Sequence, residues 1–152
     1  MTFSIDEETM FHGAVLKYFG DLANRGFIIS SVQRKDRDVT GEELVVDVEF
    51  PDSGRGANIA LLRTPDGARQ ALTTFMHRED EFGGFTVRTY LKFRGAPSEV
   101  SEQLHLSALP GDLSDCVDAV LKSTREVIDR DLLPALIGGA WPAVPIDWGD
   151  YK

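Results

Sequence analysis

The first part of the chain repeats apolar residues every three or four positions, which is the spacing of one face of an α-helix. The members of this stripe are Phe11, Ala14, Val15, Tyr18 and Leu22. Ser4 and Glu7 have the spacing of a capping box, in which two side chains satisfy free amides of the first turn. Gly26 is the residue type that commonly ends a helix. We therefore predict a helix over residues 5–25.

The period changes to two in the middle of the chain, where apolar and polar positions alternate as in a half-buried β-strand. In residues 43–50, the alternating sets are Leu44, Val46, Val48 and Phe50 against Val45, Asp47 and Glu49. Residues 27–33 and 57–63 are rich in β-branched and aliphatic types and predict two more strands. The charged stretch 34–38 is predicted to be a loop.

Two further segments decide how large the sheet is. Residues 65–78 fit a helix opened by Thr64 and Pro65, or a strand favoured by the two threonines at 73 and 74, and we prefer the strand. Residues 85–94 alternate strictly and predict the clearest strand of the chain. Phe85, Val87, Thr89, Leu91 and Phe93 would face one side, and Thr86, Arg88, Tyr90, Lys92 and Arg94 the other.

A second amphipathic helix is predicted after Asp112, which is a favourable N-cap residue. Pro134 should interrupt this helix and leave a short turn over 132–137, followed by an extended aromatic tail over 139–152. Together these elements predict one α+β domain spanning 1–152. Its sheet would be mainly antiparallel with four to five strands, and the N-terminal and C-terminal helices would pack on one face.

Composition agrees with an ordinary globular protein, since 42% of the 152 residues are hydrophobic and 27% are charged. No apolar run approaches the ~18–20 residues of a membrane helix, and the acidic N-terminus is unlike a signal peptide. One cysteine excludes a disulfide scaffold. We expect a cytoplasmic protein that does not associate with a membrane.

Charge narrows the choice of partner. Sixteen basic and 25 acidic residues give a formal net charge of −9, which repels nucleic-acid phosphates and anionic membrane surfaces. An acidic protein is suited to a basic protein partner, although the same charge also simply favours solubility. We expect a protein partner and no nucleic acid, with a homodimer through the last helix or the tail as an alternative.

The basic positions of the predicted strand 85–94 are the first candidate binding site, and they are Arg88, Tyr90, Lys92 and Arg94. On one sheet face these residues would receive an acidic peptide or a small anion, with the tyrosine as an apolar platform. The competing interpretation is that the cations pair with Asp47 and Glu49 across neighbouring strands. Each such pair contributes about 0.2–1 kcal/mol.

The aromatic tail is the second candidate, through Trp141, Trp148 and Tyr151. Trp and Tyr are favoured interface anchors because they bury a large area with few rotatable bonds. Either the tail folds back over its own sheet or it anchors another chain.

No motif predicts catalysis, a metal site or a cofactor. The run 77–81 gathers four metal-type ligands without a second cluster, so we interpret it as a solvated hairpin loop. The stretch 52–56 lacks the Lys-Ser/Thr and the following helix of a phosphate loop, and we interpret it as a turn. The three histidines, at 12, 77 and 105, fall on different elements, and Cys116 is expected to be a buried small residue.

The favoured hypothesis is a small, acidic, non-enzymatic interaction protein of the inhibitor, immunity, chaperone or adaptor type. One alternative is a small-ligand or anion-binding domain that uses the basic sheet face. Another is an enzyme whose residues assemble only in three dimensions, for example His77 or His105 with a carboxylate.

Overall fold

The structure, a computed structural model, describes residues 3–37, 41–63, 69–77, 80–95 and 112–145. Its helices are α1 (Ile5–Phe19), α2 (Val87–Phe93), α3 (Leu113–Val127) and α4 (Leu133–Leu136). Its strands are β1 (Ile28–Ile29), β2 (Gln33–Arg37), β3 (Gly41–Phe50), β4 (Arg55–Arg63), β5 (Arg69–His77) and β6 (Asp80–Thr86). A 3₁₀ turn, Gly20–Arg25, follows α1, and a π-helical turn, Ile128–Leu132, connects α3 to α4.

The strands form one antiparallel sheet in the order β1, β3, β4, β5, β6, and β2 pairs with β3 along the same edge as β1. The predicted α+β class and the antiparallel sheet are confirmed. The strand interpretation of 65–78 is also right over Arg69–His77. The predicted loop over 34–38 is wrong for residues 34–37, which pair with β3. Charged side chains suit this position because an edge strand leaves them in water.

The first helix begins as its capping box predicts. The Oγ of Ser4 accepts a hydrogen bond from the backbone amide of Glu7 at 3.0 Å, and Glu7 Oε1 accepts one from the Ser4 amide at 2.9 Å. The α-helix ends at Phe19, and the tighter 3₁₀ turn continues to Arg25. The predicted span 5–25 is therefore helical but of two kinds, and Gly26 ends it with a φ of 97°.

The core lies between the helices and one face of the sheet. Its sheet side chains include Leu44, Val46, Val48, Ile59, Leu61, Phe75 and Phe85. Its helical side chains include Phe11, Val15, Phe19, Val117, Val120, Leu121 and Leu136. None of the helices within the described ranges combines the length and the apolar composition needed to cross a bilayer.

The prediction of a strand over 85–94 is wrong from Val87 onward. Thr86 ends β6 and caps α2, because its Oγ1 accepts a hydrogen bond from the amide of Thr89 at 3.1 Å. The helix buries Val87, Tyr90 and Leu91, which have the i, i+3, i+4 spacing of a helical face. A seven-residue segment satisfies both the alternating and the helical pattern, and burial of these three side chains against the core favours the helix.

The C-terminal helical region follows the prediction closely. Asp112 caps α3 by accepting a hydrogen bond from the amide of Asp115 at 2.9 Å. Pro134 has no amide hydrogen and its ring conflicts with a regular helix, so the chain widens into the π-helical turn before it. There the amide of Leu133 donates to the carbonyl of Ile128.

Candidate functional site

The basic sheet face predicted from residues 85–94 is not formed. Arg88 and Lys92 lie on α2, and Arg94 is its C-cap residue, so strand alternation does not apply to them. The alternative of direct cross-strand pairs with Asp47 is also wrong, because β4 and β5 separate β3 from β6. An anion-binding function through a basic sheet face therefore loses its structural basis.

Tyr90 belongs to the core rather than to a binding platform. Its side chain is 4% exposed, and its ring stacks on Phe85 with the centroids 5.8 Å apart. Burial, together with the nearby carboxylate of Asp131, raises the pKa of the Tyr90 hydroxyl above its ordinary value. Lys92 and Arg94 are exposed at the end of α2.

Trp141 packs against the protein's own sheet. Its ring lies 5.4 Å from the ring of Phe85 and 5.8 Å from that of His77, measured between centroids. The Arg55 guanidinium lies 5.2 Å from the Trp141 centroid. These contacts support the interpretation in which the tail folds back in cis as far as Trp141. Trp148 and Tyr151 lie outside the described residues.

Arg55 also holds the end of α4 in place. Its Nη1 donates to the carbonyls of Ala135 and Gly139, at 2.5 Å each. Nearby, the Oγ of Ser53 donates to the carbonyl of Leu136 at 2.6 Å. The turn before β4 and the first residue of β4 are thus bonded to the segment that precedes Trp141.

The opposite side of the sheet is covered by no helix of the described ranges, and we call it the helix-free face. Because side chains alternate along a strand, it comprises the residues that point away from the core. These are Ile28 on β1, Gln33 and Lys35 on β2, Glu43, Val45, Asp47 and Glu49 on β3, Gly56, Asn58, Ala60 and Leu62 on β4, Gln70, Leu72, Thr74 and Met76 on β5, and Gly84 and Thr86 on β6.

A row of polar residues crosses the helix-free face through Asp47, Asn58 and Thr74 and ends at Thr86, whose buried side chain caps α2. Asp47 Oδ1 accepts a hydrogen bond from Asn58 Nδ2 at 2.8 Å. Within the described part of the chain this amide is the carboxylate's one side-chain donor, and it carries no charge. The amide of Asn58 therefore sets the orientation of the Asp47 carboxylate.

The next row contains two glycines, and a cavity of about 400 Å³ lies over it. Five of the lining residues point to the helix-free face, and they are Asp47, Glu49, Gly56, Met76 and Gly84. Gly84 lies beside Met76, since a Cβ added at Gly84 would stand 3.8 Å from the Met76 Cγ. The missing side chains at 56 and 84 leave the hollow, which we call the glycine pocket.

Gly56 is required by close packing of the main chain. A Cβ at this position would lie 2.4 Å from the carbonyl oxygen of Val48 and 2.9 Å from the Cα of Glu49. Real Cβ atoms do not approach so closely, so β3 and β4 keep their spacing here only with glycine.

The glycine pocket is electrostatically negative at one end. Asp47 and Glu49 stand two residues apart on β3, with backbone positions about 7 Å from each other. Arg55 also lines the cavity, but its guanidinium is bonded to main-chain carbonyls and stacked on Trp141 on the core side of the sheet. The pocket thus combines two carboxylates with the apolar Met76, which is 42% exposed.

The other chemistry-bearing residues do not assemble into a second site among the residues described. His12 lies on α1 and His77 on β5, while His105 falls outside the described ranges. Cys116 is buried and forms no disulfide. No group of three or more His, Cys, Asp or Glu side chains in the described ranges is arranged to hold a metal ion.

The sequence interpretation missed the glycine pocket. Residues 52–56 were predicted to be a turn, and the turn proper covers 51–54, whereas Gly56 belongs to β4. A glycine inside a strand is a signal of close backbone approach. Gly56 could therefore have been recognised as a position of close backbone approach. The residues beside it on neighbouring strands could not, because they depend on the strand register, which the sequence does not reveal.

The chain matches no protein-family model, no curated protein and no solved structure in comparisons with all three. The function is therefore argued from the site alone.

Proposed function

We propose that this protein is a small, non-enzymatic interaction protein that binds a basic segment of another protein on its helix-free face. The observation that carries the proposal is the coincidence of acidic and partly exposed apolar side chains on the one sheet face that no described helix covers. The proposed setting is the cytoplasm, where a cysteine outside a disulfide, such as Cys116, stays reduced.

Charge supports a basic partner. Asp47 and Glu49 point to the helix-free face from β3, whereas Glu43 on the same strand lies opposite Lys35 of β2. The formal net charge of −9 adds a long-range field that attracts cationic surfaces and raises association rates. A partner segment rich in lysine or arginine would therefore approach this protein faster than a neutral one.

Apolar contact area supports a protein partner rather than a small ion. Met76 is 42% exposed, and Leu62 and Leu72 are partly exposed on the same face, whereas Val45 and Ala60 are buried there. Protein interfaces combine an apolar centre with a polar rim, and Met adapts to irregular partner surfaces. The accessible apolar side chains of the helix-free face lie on β4 and β5, beside the carboxylates of Asp47 and Glu49 on β3.

The test is a charge-matched comparison of two double variants. One carries Asp47→Asn and Glu49→Gln on the helix-free face, and the control carries Asp115→Asn and Glu126→Gln on the exposed side of α3. The partner is captured from the native cell with the wild-type chain, then purified, and its affinity for each variant is measured by calorimetry. We expect the face variant to bind at least about tenfold more weakly, since hydrogen bonds to charged groups are worth roughly 1.5–3 kcal/mol.

The control separates local contact from the loss of net charge. Both double variants lose two negative charges, so a purely long-range effect would weaken both equally. Equal affinities of wild type and face variant, or an equal loss in the α3 control, would contradict binding at the helix-free face.

A further inference from the structure

We infer that the glycine pocket binds a single lysine or arginine side chain of the partner protein. This inference rests on the proposed function and adds the residue type that the partner inserts. The pocket offers an apolar channel with two carboxylates at one end, which is the complement of an alkyl stem that carries a cationic head.

The size of the pocket suits one long side chain. Its volume of about 400 Å³ is near the lower end of the roughly 300–1,000 Å³ of small-ligand sites. Met76 and the side-chain-free positions 56 and 84 give the stem apolar contacts without obstruction. Lysine and arginine bury their methylene groups along such surfaces while the charged end reaches polar partners.

The carboxylate end is arranged to receive a cation. Asn58 donates to one oxygen of Asp47, which orients the carboxylate and leaves its second oxygen to accept from the ligand. Glu49 lies along the same edge of the pocket. Charge-assisted hydrogen bonds from an ammonium or guanidinium group to carboxylates are about twice as strong as neutral ones. The Asp47 carboxylate therefore selects a cationic head over a neutral polar one.

The two glycines have separate roles in this site. Gly56 cannot be enlarged, because a Cβ would collide with the Val48 carbonyl oxygen. At Gly84 a Cβ would lie 3.2 Å from the carbonyl oxygen of Phe75 and would project beside Met76. Gly84→Ala consequently narrows the pocket with only a small main-chain adjustment, and it is the variant that tests the cavity rather than the charge.

The experiment is a titration of the full-length, nitrogen-15-labelled protein, followed through the amide resonances of Gly56 and Gly84. The probes are acetyl-Gly-Gly-X-Gly-Gly-amide peptides with X as lysine, arginine or norleucine, and norleucine supplies the stem without the charge. We expect saturable shifts of both amides with the lysine or the arginine peptide and at least about tenfold weaker binding with norleucine.

Variants assign the effect to the pocket. Asp47→Asn preserves the acceptor of the Asn58 hydrogen bond and should lower the affinity for the tighter-binding peptide about tenfold. Gly84→Ala should lower the same affinity about threefold or more. Two control variants should leave the affinity unchanged. They are Gly13→Ala on α1, where an added Cβ meets no atom within 4 Å, and Glu126→Gln on α3. The inference would be overturned if the norleucine peptide bound as tightly as the lysine and arginine peptides. It would also be overturned if a free diamine such as cadaverine bound more tightly than those peptides.

The outcome also distinguishes the inference from the proposed function. If a cationic peptide shifts the amides of Leu62 and Leu72 but not those of Gly56 and Gly84, the pocket assignment is wrong and the helix-free face still stands as the interface. If the peptide perturbs no residue of that face and the captured partner binds the face variant normally, both are wrong.

Discussion

Replacing Trp141 with alanine should destabilise the isolated monomer, because this side chain attaches the C-terminal segment to the sheet. The indole contacts the rings of Phe85 and His77 and lies under the guanidinium of Arg55. All three partners belong to β4, β5 or β6 of the same chain. The effect therefore reports directly on packing in cis.

The magnitude follows from these contacts. Truncation of a large buried aromatic side chain costs about 3–5 kcal/mol, and Trp141 is only partly buried. The aromatic contact with Phe85 adds roughly 0.5–1.5 kcal/mol beyond buried area, and the cation–π contact adds about 0.5–1 kcal/mol. We expect a loss of about 2–3 kcal/mol in the free energy of unfolding. For a chain of this length that loss lowers Tm by roughly 4–12 °C.

Unfolding of Trp141→Ala should be followed in urea and by temperature using far-ultraviolet circular dichroism, because the substitution alters tryptophan fluorescence. The control is Ile137→Ala, in the same segment but 44% exposed, for which we expect less than about 1 kcal/mol. Each measurement is made at two protein concentrations. A Trp141→Ala variant within about 0.5 kcal/mol of wild type, or a Tm that rises with protein concentration, would refute packing in cis and favour the tail as an anchor for a second chain.

Three further predictions concern the scaffold. Gly13→Ala should raise the free energy of unfolding by about 0.5–1 kcal/mol, because Gly13 lies inside α1 with open space around it, and urea unfolding measures the gain. Gly56→Ala should lower that free energy by more than about 2 kcal/mol, since its Cβ would collide with the Val48 carbonyl oxygen, and an unchanged urea midpoint would contradict the close approach. The hydrogen bond from Arg125 holds the pKa of Asp21 below its ordinary value. A depressed pKa contributes stability above the unfolded value of about 3.9, and that contribution is lost as the pH falls through the folded pKa. Wild type should therefore be more stable than Asp21→Asn at pH 7, and urea unfolding at about pH 3 should show a smaller difference.

Most of the fold could be predicted because its helices and strands are specified by short local sequence patterns. The Ser4–Glu7 capping box and the alternation along β3 need only a few neighbouring residues to take effect. The errors fall where tertiary contacts override a local pattern. Residues 34–37 are polar and become a strand because β3 offers an unpaired edge. Residues 87–93 alternate and become a helix because Thr86 caps it and Tyr90 has a place in the core.

The candidate site could not be predicted from the sequence, for a different reason. Asp47, Gly56, Met76 and Gly84 come together only through the registers of three strand pairs. Considered alone, each of these four residues is typical of a strand or a turn and does not indicate a binding site. The absent side chains at positions 56 and 84 matter because they become neighbours of Met76, and their separation in sequence gives no sign of that.

Arginine side chains join the terminal segments and the helices to the rest of the chain. Three arginines donate to main-chain carbonyls of the terminal segments or helices: Arg34 to Phe3, Arg55 to Ala135 and Gly139, and Arg125 to Tyr18. Each of these guanidinium groups bonds to a terminal segment or to a helix on the core side of the sheet. These hydrogen bonds hold separate parts of the chain together. The Asp47 carboxylate on the helix-free face accepts instead from the neutral amide of Asn58. These three cations stabilise the fold, while Asp47 presents an oriented carboxylate on the face where we propose that a basic partner binds.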